Sequence, residues 1–262
     1  MVNRSSVNNI TMTNTALGSD NSIRALRFLE ANRTFSALNT MELETLLSNI
    51  TIVNLKRNQL LWEPEDVTDF VYLVRTGVIR EYIPDTKGRP VTVGLHARQD
   101  IIGLGTIMDA GQHSTVSIAH EDSVLYKISG EAVNELIKQN PQIGAAVSKV
   151  VFERMKNSQH RIPDLINKTA HSRLAAMLLS LAEKFGIRDS RGVIINLKLT
   201  HRVIASLIGT TRETVSFAIV DLRGAGLIQN DGKRFIITET DALLELAESV
   251  ETLRVAQEIA GH

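Results

Sequence analysis

Arg212 and Glu213 open a run, RETVSFAIVDLR, whose apolar members recur at helical spacing. A guanidinium can bond guanine O6 and N7 together, and a carboxylate can accept from cytosine N4. An Arg-Glu pair at the start of an exposed helix therefore suits the base edges of a DNA major groove. Ser216 and Phe217 fall on the same outward side, and Val215, Ala218, Ile219 and Leu222 form the inward one. Phe217 has two readings, packing on thymine methyl groups or joining the core.

The preceding residues supply what such a helix needs in order to be presented. Thr200 can cap a first helix whose apolar face is Val203, Ile204, Leu207 and Ile208. Gly209 falls where the chain must reverse, and glycine accepts a left-handed conformation at little steric cost. Thr211 can cap the second helix. Ala205, Gly209 and Val215 follow the small-turn-branched pattern of a helix-turn-helix, although spacing alone also fits an ordinary αα-corner. Val193–Lys198 reads as a strand leading into the pair. Beyond it, LIQNDGKRFIIT reads as a hairpin turning at Asp231-Gly232, which makes the group a winged helix with Lys233 and Arg234 placed to touch phosphate. Thr200, His201, Thr210, Thr211, Arg212, Glu213, Ser216, Phe217 and Lys233 are the residues expected at DNA.

Charge agrees with that placement. The chain is formally neutral, yet residues 164–239 hold eleven Lys/Arg against seven Asp/Glu, and residues 240–262 hold one Arg against five acids. Positive charge gathered around the helix pair is what phosphate contact requires. The lack of cysteine excludes disulfides, thiolate zinc sites and cysteine-held iron–sulfur clusters. No apolar run reaches the ~20 residues that span a bilayer, and the N-terminus lacks a secretory signal. Cytoplasmic residence, with no membrane partner, is the expectation.

At 262 residues there is room for about two domains. Residues 1–22, rich in Asn, Ser and Thr, read as a flexible tail. Helical patterns follow at Ile23–Ala31 and Thr40–Ser48, the latter with Thr40 as its cap and Met41, Leu43, Leu46 and Leu47 as contacts. From Ile50 to Ile128 short alternating runs, TIVNLK, QLLWE, FVYLV, VIREYIP, PVTVGLH, DIIGL, TVSIAH and SVLYKIS, read as eight strands of a jelly-roll or small barrel. Asn58, Gly77, Lys87-Gly88 and Gly111 mark reversals. Trp62, Phe70, Tyr72 and Tyr82 are expected to pack in or on the barrel. A helix spans Gly130 to Gln139, and Pro141 starts a longer one with the face Ile143, Val147, Val150, Val151, Phe152 and Met155. That helix turns polar at Asn157–Arg161, a stretch too costly to bury dry, and Pro163 should kink or end it. Ala170–Phe185 is another amphipathic helix, Gly186–Gly192 a loop, and Thr240–Ala260 a closing acidic helix packed through Leu243, Leu244, Leu246, Val250 and Leu253.

This order resembles the cyclic-AMP receptor protein/FNR family of bacterial transcription regulators. The likeness covers about Thr34 to Thr238 and is specific at DIIGLGTIMDAGQHSTVSIA, HSRLAAMLLSLAEKFG and LTHRVIASLIGTTRETVSFAIVDLRGAGLI. KLTHRVIASLIGTTRETVS looks closest to the nitrogen-control and cyclic-AMP receptor branches. The resemblance implies an α+β architecture: a cyclic-nucleotide-binding-like jelly-roll β-barrel domain at 23–140, a long dimerisation helix and hinge at 141–168, a C-terminal winged helix-turn-helix at 169–239 and a C-terminal helix at 240–262. It also implies a homodimer acting on a double-stranded operator of two-fold symmetry, with RNA polymerase as partner and no enzymatic activity.

For the effector, the resemblance points to Gly103, Leu104, Gly105, Ser114, Thr115 and Arg89 on the barrel and to Ser158 and Gln159 on the long helix. Leu104 and Ser114 stand where cyclic-AMP receptors carry a ribose-binding Glu and a phosphate-binding Arg. Leucine cannot accept from a ribose hydroxyl and serine cannot neutralise a phosphate, so cyclic AMP in its usual mode is not expected. Arg75, Arg80, Arg89, Arg98 and Arg161 are available to an anionic effector. Phe217 replaces an arginine common four residues after the Glu, while Ser216 resembles the FNR branch. Three further readings are an effector-independent regulator, a haem-based sensor using His96, His113, His120 or His160, and a cupin-type metalloenzyme. No metal, cofactor or named effector follows from the residues.

Overall fold

The structure, a computed structural model, describes residues 15–16, 19–108 and 112–249. The chain forms two compact units that divide on a long helix between Met155 and Lys156, with the short segment Arg89–Val91 grouped with the second. In chain order the first contains β1 (Thr15–Ala16), α1 (Ser19–Glu30), α2 (Thr40–Ser48), β2 (Ile50–Leu55), β3 (Leu60–Trp62), β4 (Phe70–Thr76), β5 (Ile79–Pro84), β6 (Pro90–His96), β7 (Ile101–Ile102), α3 (Gly105–Met108), β8 (Val116–Ala119), β9 (Ser123–Ser129) and α4 (Gly130–Gln139). The long helix is α5 (Pro141–Asn167). The second unit holds α6 (Ala170–Phe185), β10 (Gly186–Asp189), β11 (Gly192–Ile195), α7 (His201–Ile208), α8 (Arg212–Gly224), β12 (Ile228–Asp231), β13 (Arg234–Ile237) and α9 (Thr240–Glu248).

All eight alternating runs form strands. They make a jelly-roll of two facing sheets, ordered β1-β2-β9-β4-β7 and β3-β8-β5-β6. The first sheet is buried on both faces, and its two-residue period separates two cores. Ile50, Ile52, Val71, Leu73, Tyr126 and Ile128 face a cluster built with Phe28, Leu29, Leu46, Val133 and Leu136 of the helices. Val53, Leu55, Tyr72, Val74 and Leu125 face the barrel interior with Leu61, Trp62 and Ile79. Asn58, Gly77 and Gly88 take positive φ at the turns, as do Glu65 and Gln99, which sequence did not single out. Gly111 lies outside the described residues.

Several expectations change. Within residues 1–22, Thr15–Ala16 pairs antiparallel with Thr51–Ile52 of β2 and Ser19 begins α1, so this part of the expected tail is ordered by sheet pairing and helix. Asn39, not Thr40, caps α2: its side chain accepts from the Glu42 amide, and the Glu42 carboxylate accepts from the Asn39 amide in return. Met41 is 78% exposed and gives α2 no core contact. Pro163 neither ends nor breaks α5 into two helices. The amide it lacks would have bonded the Gln159 carbonyl, and Gln159 is exposed, where water can satisfy that oxygen.

In the second unit an antiparallel sheet ordered β10-β11-β13-β12 packs with α6 and α8, and α6 packs in turn with α7 and α9. Residues 186–189 are strand rather than loop, because Gly186–Asp189 pairs residue for residue with Gly192–Ile195. Gly192 makes this possible: a Cβ there would lie 2.1 Å from the Ile237 carbonyl oxygen, at a φ of +132°. Of the closing helix, Leu243 and Leu246 are buried but Leu244 is half exposed. Val250 and Leu253 lie outside the described residues. No single helix among the described residues is long and apolar enough to cross a membrane.

Candidate functional site

The α7–α8 pair is fixed by its caps. The Thr200 hydroxyl accepts from the Val203 amide at 3.3 Å, and the Thr211 hydroxyl accepts from the Thr214 amide at 3.2 Å. Gly209 lies between them at φ +63°, ψ +47°, with its amide bonded to the Ala205 carbonyl. The two axes differ by 100°, within the range of a helix-turn-helix. Val215, Ala218, Ile219 and Leu222 are all buried, which turns the opposite side of α8 outward. Arg212 and Glu213 are exposed there, at the helix start, and Phe217 is 71% exposed. Exposure removes the core reading of Phe217.

Two contacts hold this helix in register with its neighbours. His201 Nδ1 lies 2.7 Å from the Ser216 hydroxyl, which also donates to the Arg212 carbonyl at 2.9 Å. That hydroxyl has one proton, so toward His201 it accepts, which places the proton of the neutral ring on Nδ1. Ser216 is thus occupied in joining α7 to α8. His171 on α6 meets Asp221 on α8 at 2.8 Å, and Arg161 donates to the Leu207 carbonyl at 2.5 Å. Thr210 sits half-buried in the turn. Lys233 is exposed at the β12–β13 turn, where its carbonyl accepts from the Leu199 amide and ties the hairpin to the start of α7. The two caps, the turn glycine and the exposed Arg212–Glu213 start follow the sequence expectation, whereas the two histidine contacts follow from no spacing rule.

The expected effector residues are more dispersed. Gly103 takes φ +80° and a Cβ there would lie 2.9 Å from the Phe70 carbonyl oxygen, so the position needs glycine for a close strand approach. Leu104 is 4% exposed within the apolar cluster under the helices. Gly105, Ser114 and Arg89 are exposed, as are Ser158 and Gln159 on α5. Thr115 is half-buried and accepts from the Trp62 indole at 3.2 Å. Three of the candidate arginines are engaged within the barrel unit: Arg98 donates to the Arg75 carbonyl and lies over the Phe28 ring, Arg80 lies over Tyr82, and Arg75 over Tyr126. Burial lowers the Arg80 pKa.

Sequence reasoning missed a polar wall inside the barrel. Glu81 and His96 form a buried pair at 2.7 Å. Burial alone would raise the Glu81 pKa, but the His96 hydrogen bond and the charges of His96, Arg154 and His113 hold it below the ordinary carboxylate value. A Cβ at Gly94 would lie 2.5 Å from His96 Nε2, so the glycine makes room for the ring. Ser117, paired with Glu81 across the ladder, is fully buried, and its hydroxyl has no partner among the described residues. His113 stacks on Trp62 at 4.2 Å and meets the Thr68 hydroxyl at 2.8 Å, and burial lowers its pKa. The signal was present: in PVTVGLH, Thr92, Gly94 and His96 share one face of β6. Among the described residues no group of three or more His, Asp or Glu side chains is arranged to hold a metal ion.

Comparison with known proteins agrees with this geometry in both units. Residues 52–140 match the cyclic nucleotide-binding domain, and residues 172–246 match the Crp-like helix-turn-helix domain. The chain is 28% identical over 193 residues to the fumarate and nitrate reduction regulatory protein of Escherichia coli K12, covering 74% of this chain and 77% of that one. It is 24% identical to the CRP-like cAMP-activated global transcriptional regulator of Mycobacterium tuberculosis, covering 81% and 95%. The crystal structure of TTHA1359, a CRP/FNR-family transcriptional regulator of Thermus thermophilus, aligns with a TM-score of 0.62 at 26% identity, covering 76% of this chain and all of that one.

Proposed function

Since the chain belongs to the Crp/Fnr family of transcription regulators, and is a DNA-binding regulator rather than an enzyme, we propose that it reads a two-fold symmetric operator as a homodimer, under control of a small molecule held by the barrel. The observation that carries base readout is α8: a helix buried along one side, capped at its start, that leaves Arg212 and Glu213 in solvent. Thr200, His201, Thr210, Thr211 and Lys233 surround that surface with hydroxyls, a ring and an ammonium group suited to backbone positioning.

Dimerisation is supported by α5. Phe152, Met155, Gln159, Ile162 and Ile166 are exposed and recur at alternating intervals of three and four residues, the spacing of a coiled-coil seam. Phe152 is 58% and Ile166 75% exposed, an apolar stripe that a second copy of α5 would cover. Gln159 at its middle is the kind of polar residue that sets register at a seam. Effector control rests on the barrel match and on the polar wall of Glu81, His96, Ser117 and Thr115; the residues expected from the sequence are Gly103, Leu104, Gly105, Ser114, Thr115 and Arg89, with Ser158 and Gln159. Binding there would shift the population between two arrangements of the recognition helices. RNA polymerase would be the partner at the promoter.

The test is selection of binding sequences from a random duplex pool with the full-length protein, followed by affinity and sedimentation measurements with and without a fractionated metabolite extract. Enrichment of an inverted repeat bound by a dimer, with affinity altered by one fraction, is expected. A monomer, or binding indifferent to sequence, would refute the proposal. Operator affinity that no fraction changes would refute effector control alone.

A further inference from the structure

The outward side of α8 also carries an apolar ridge that polar readout does not use. At about 100° per residue, Glu213, Phe217 and Val220 fall on one line, opposite the buried line of Val215, Ala218, Ile219 and Leu222. Phe217 is 71% and Val220 63% exposed. A phenyl ring and an isopropyl group held in water on a helix that buries its other large apolar side chains forgo the burial that such side chains normally obtain. Their surroundings are those of a nucleic-acid surface: the ridge starts at Glu213, and Arg212 and Arg223 are exposed on the same helix. In the major groove the base edges offer one large apolar group, the thymine 5-methyl.

We infer that Phe217 and Val220 form an apolar reader of thymine 5-methyl groups, set beside the polar reader Arg212–Glu213. The inference rests on the DNA-reading role of α8 and specifies what the rest of that helix recognises. Ser216 does not compete for this task, because its hydroxyl already serves the Arg212 carbonyl and His201. Spacing sets where the thymines lie. With a rise of about 1.5 Å per residue, Phe217 stands about 6 Å along the helix from Glu213 and Val220 about 4.5 Å further. Against a base-pair step of about 3.4 Å, methyl contacts fall roughly two and three base pairs from the pair that Glu213 reads.

The experiment uses the full-length protein and its selected operator, in which each thymine is replaced singly by deoxyuridine, removing only the methyl group. Affinities are measured for the unaltered protein, Phe217→Ala and Val220→Ala. Burying one methyl corresponds to about a four-fold change in affinity. The unaltered protein should lose about that factor at one or two thymines per half-site, at the stated distance from the base pair whose identity ceases to matter in Glu213→Ala. Phe217→Ala should bind the thymine and deoxyuridine forms equally at its position while still discriminating at the Arg212–Glu213 pair. Because both side chains are exposed, the substitutions leave the core intact, which thermal unfolding verifies. Indifference to every deoxyuridine, or a deoxyuridine effect of full size in both alanine variants, overturns the inference. A Phe217→Ala change in oligomeric state without any methyl effect assigns the ridge to a second copy of the chain and also overturns it. Failure to enrich any sequence defeats the DNA-reading role itself, and this inference with it, which separates the two failures.

Discussion

Two glycines in the helix-turn-helix should respond in opposite directions to the same substitution. Gly209 holds φ +63° at the turn, and a Cβ there would lie 3.0 Å from Cδ2 of Leu165. An L-residue in the left-handed region costs about 1–2 kcal/mol, and the Leu165 methyl is the free end of a half-exposed side chain that can move aside. The conformational cost therefore dominates, and Gly209→Ala should destabilise the second unit by about 1–2 kcal/mol. Gly209→Asn should lose less, since Asn tolerates this conformation. Gly224 closes α8 without positive φ, and a Cβ there meets nothing within 4 Å. Gly224→Ala should stabilise by about 0.5–1 kcal/mol through reduced freedom of the unfolded chain. The assay is urea unfolding of the full chain, followed by far-ultraviolet circular dichroism and by amide exchange at α7 and α8. Equal effects of the two alanines, or a stabilised Gly209→Ala, would refute the claim that the turn conformation sets the cost.

Further outcomes follow from the same structure. Lys233→Ala should weaken binding to all sequences alike and lower the slope of log affinity against log salt by about 1; an unchanged slope would remove Lys233 from the phosphate contacts. Phe152→Asp with Ile162→Asp should convert the proposed dimer to monomer in sedimentation, while a dimer of unchanged affinity would place the interface elsewhere. Acid stability should carry two signatures. His113 has a lowered pKa in the fold, so its contribution is present above its unfolded value of about 6.5 and is lost as pH falls below it. Glu81 is also lowered, so its contribution is present above about 4.3 and disappears as pH falls through its folded value. Urea midpoints against pH should lose the upper step in His113→Phe and the lower one in Glu81→Gln; profiles that coincide with the unaltered protein would contradict these assignments.

What the sequence showed and what it hid divide along physical lines. Alternation located all eight barrel strands because both sheets bury at least one face, and a two-residue period survives any detail of packing. The caps Thr200 and Thr211 and the turn Gly209 were legible because each serves bonds within its own few residues. At α2 the local signal was misassigned by one position: Asn39 and Glu42 satisfy each other's amides, which relieves Thr40 of the task. Pro163 does not end α5, because the carbonyl that loses its amide partner belongs to the exposed Gln159. β10 was unreadable because Gly186–Asp189 is exposed along its length and is a strand through pairing alone. The Glu81–His96 pair was only half legible, since β6 sets His96 on one face with Thr92 and Gly94 but its partner is not local. Fifteen residues separate its members, and a charged side chain on a strand reads as solvent-facing until the opposing strand supplies its partner. The exposure of Arg212 and Glu213 at the start of α8 was legible in residue spacing, but the engagement of Ser216 by His201 required coordinates.

Binding to the selected operator and to each of its single base-pair variants, compared between the unaltered protein and Arg212→Ala, tests the central claim most directly. The account predicts that the variant loses about 1–3 kcal/mol of discrimination at one base pair per half-site and keeps its preferences elsewhere. An equal loss on every sequence, or full discrimination retained at every position, would contradict a base-reading α8.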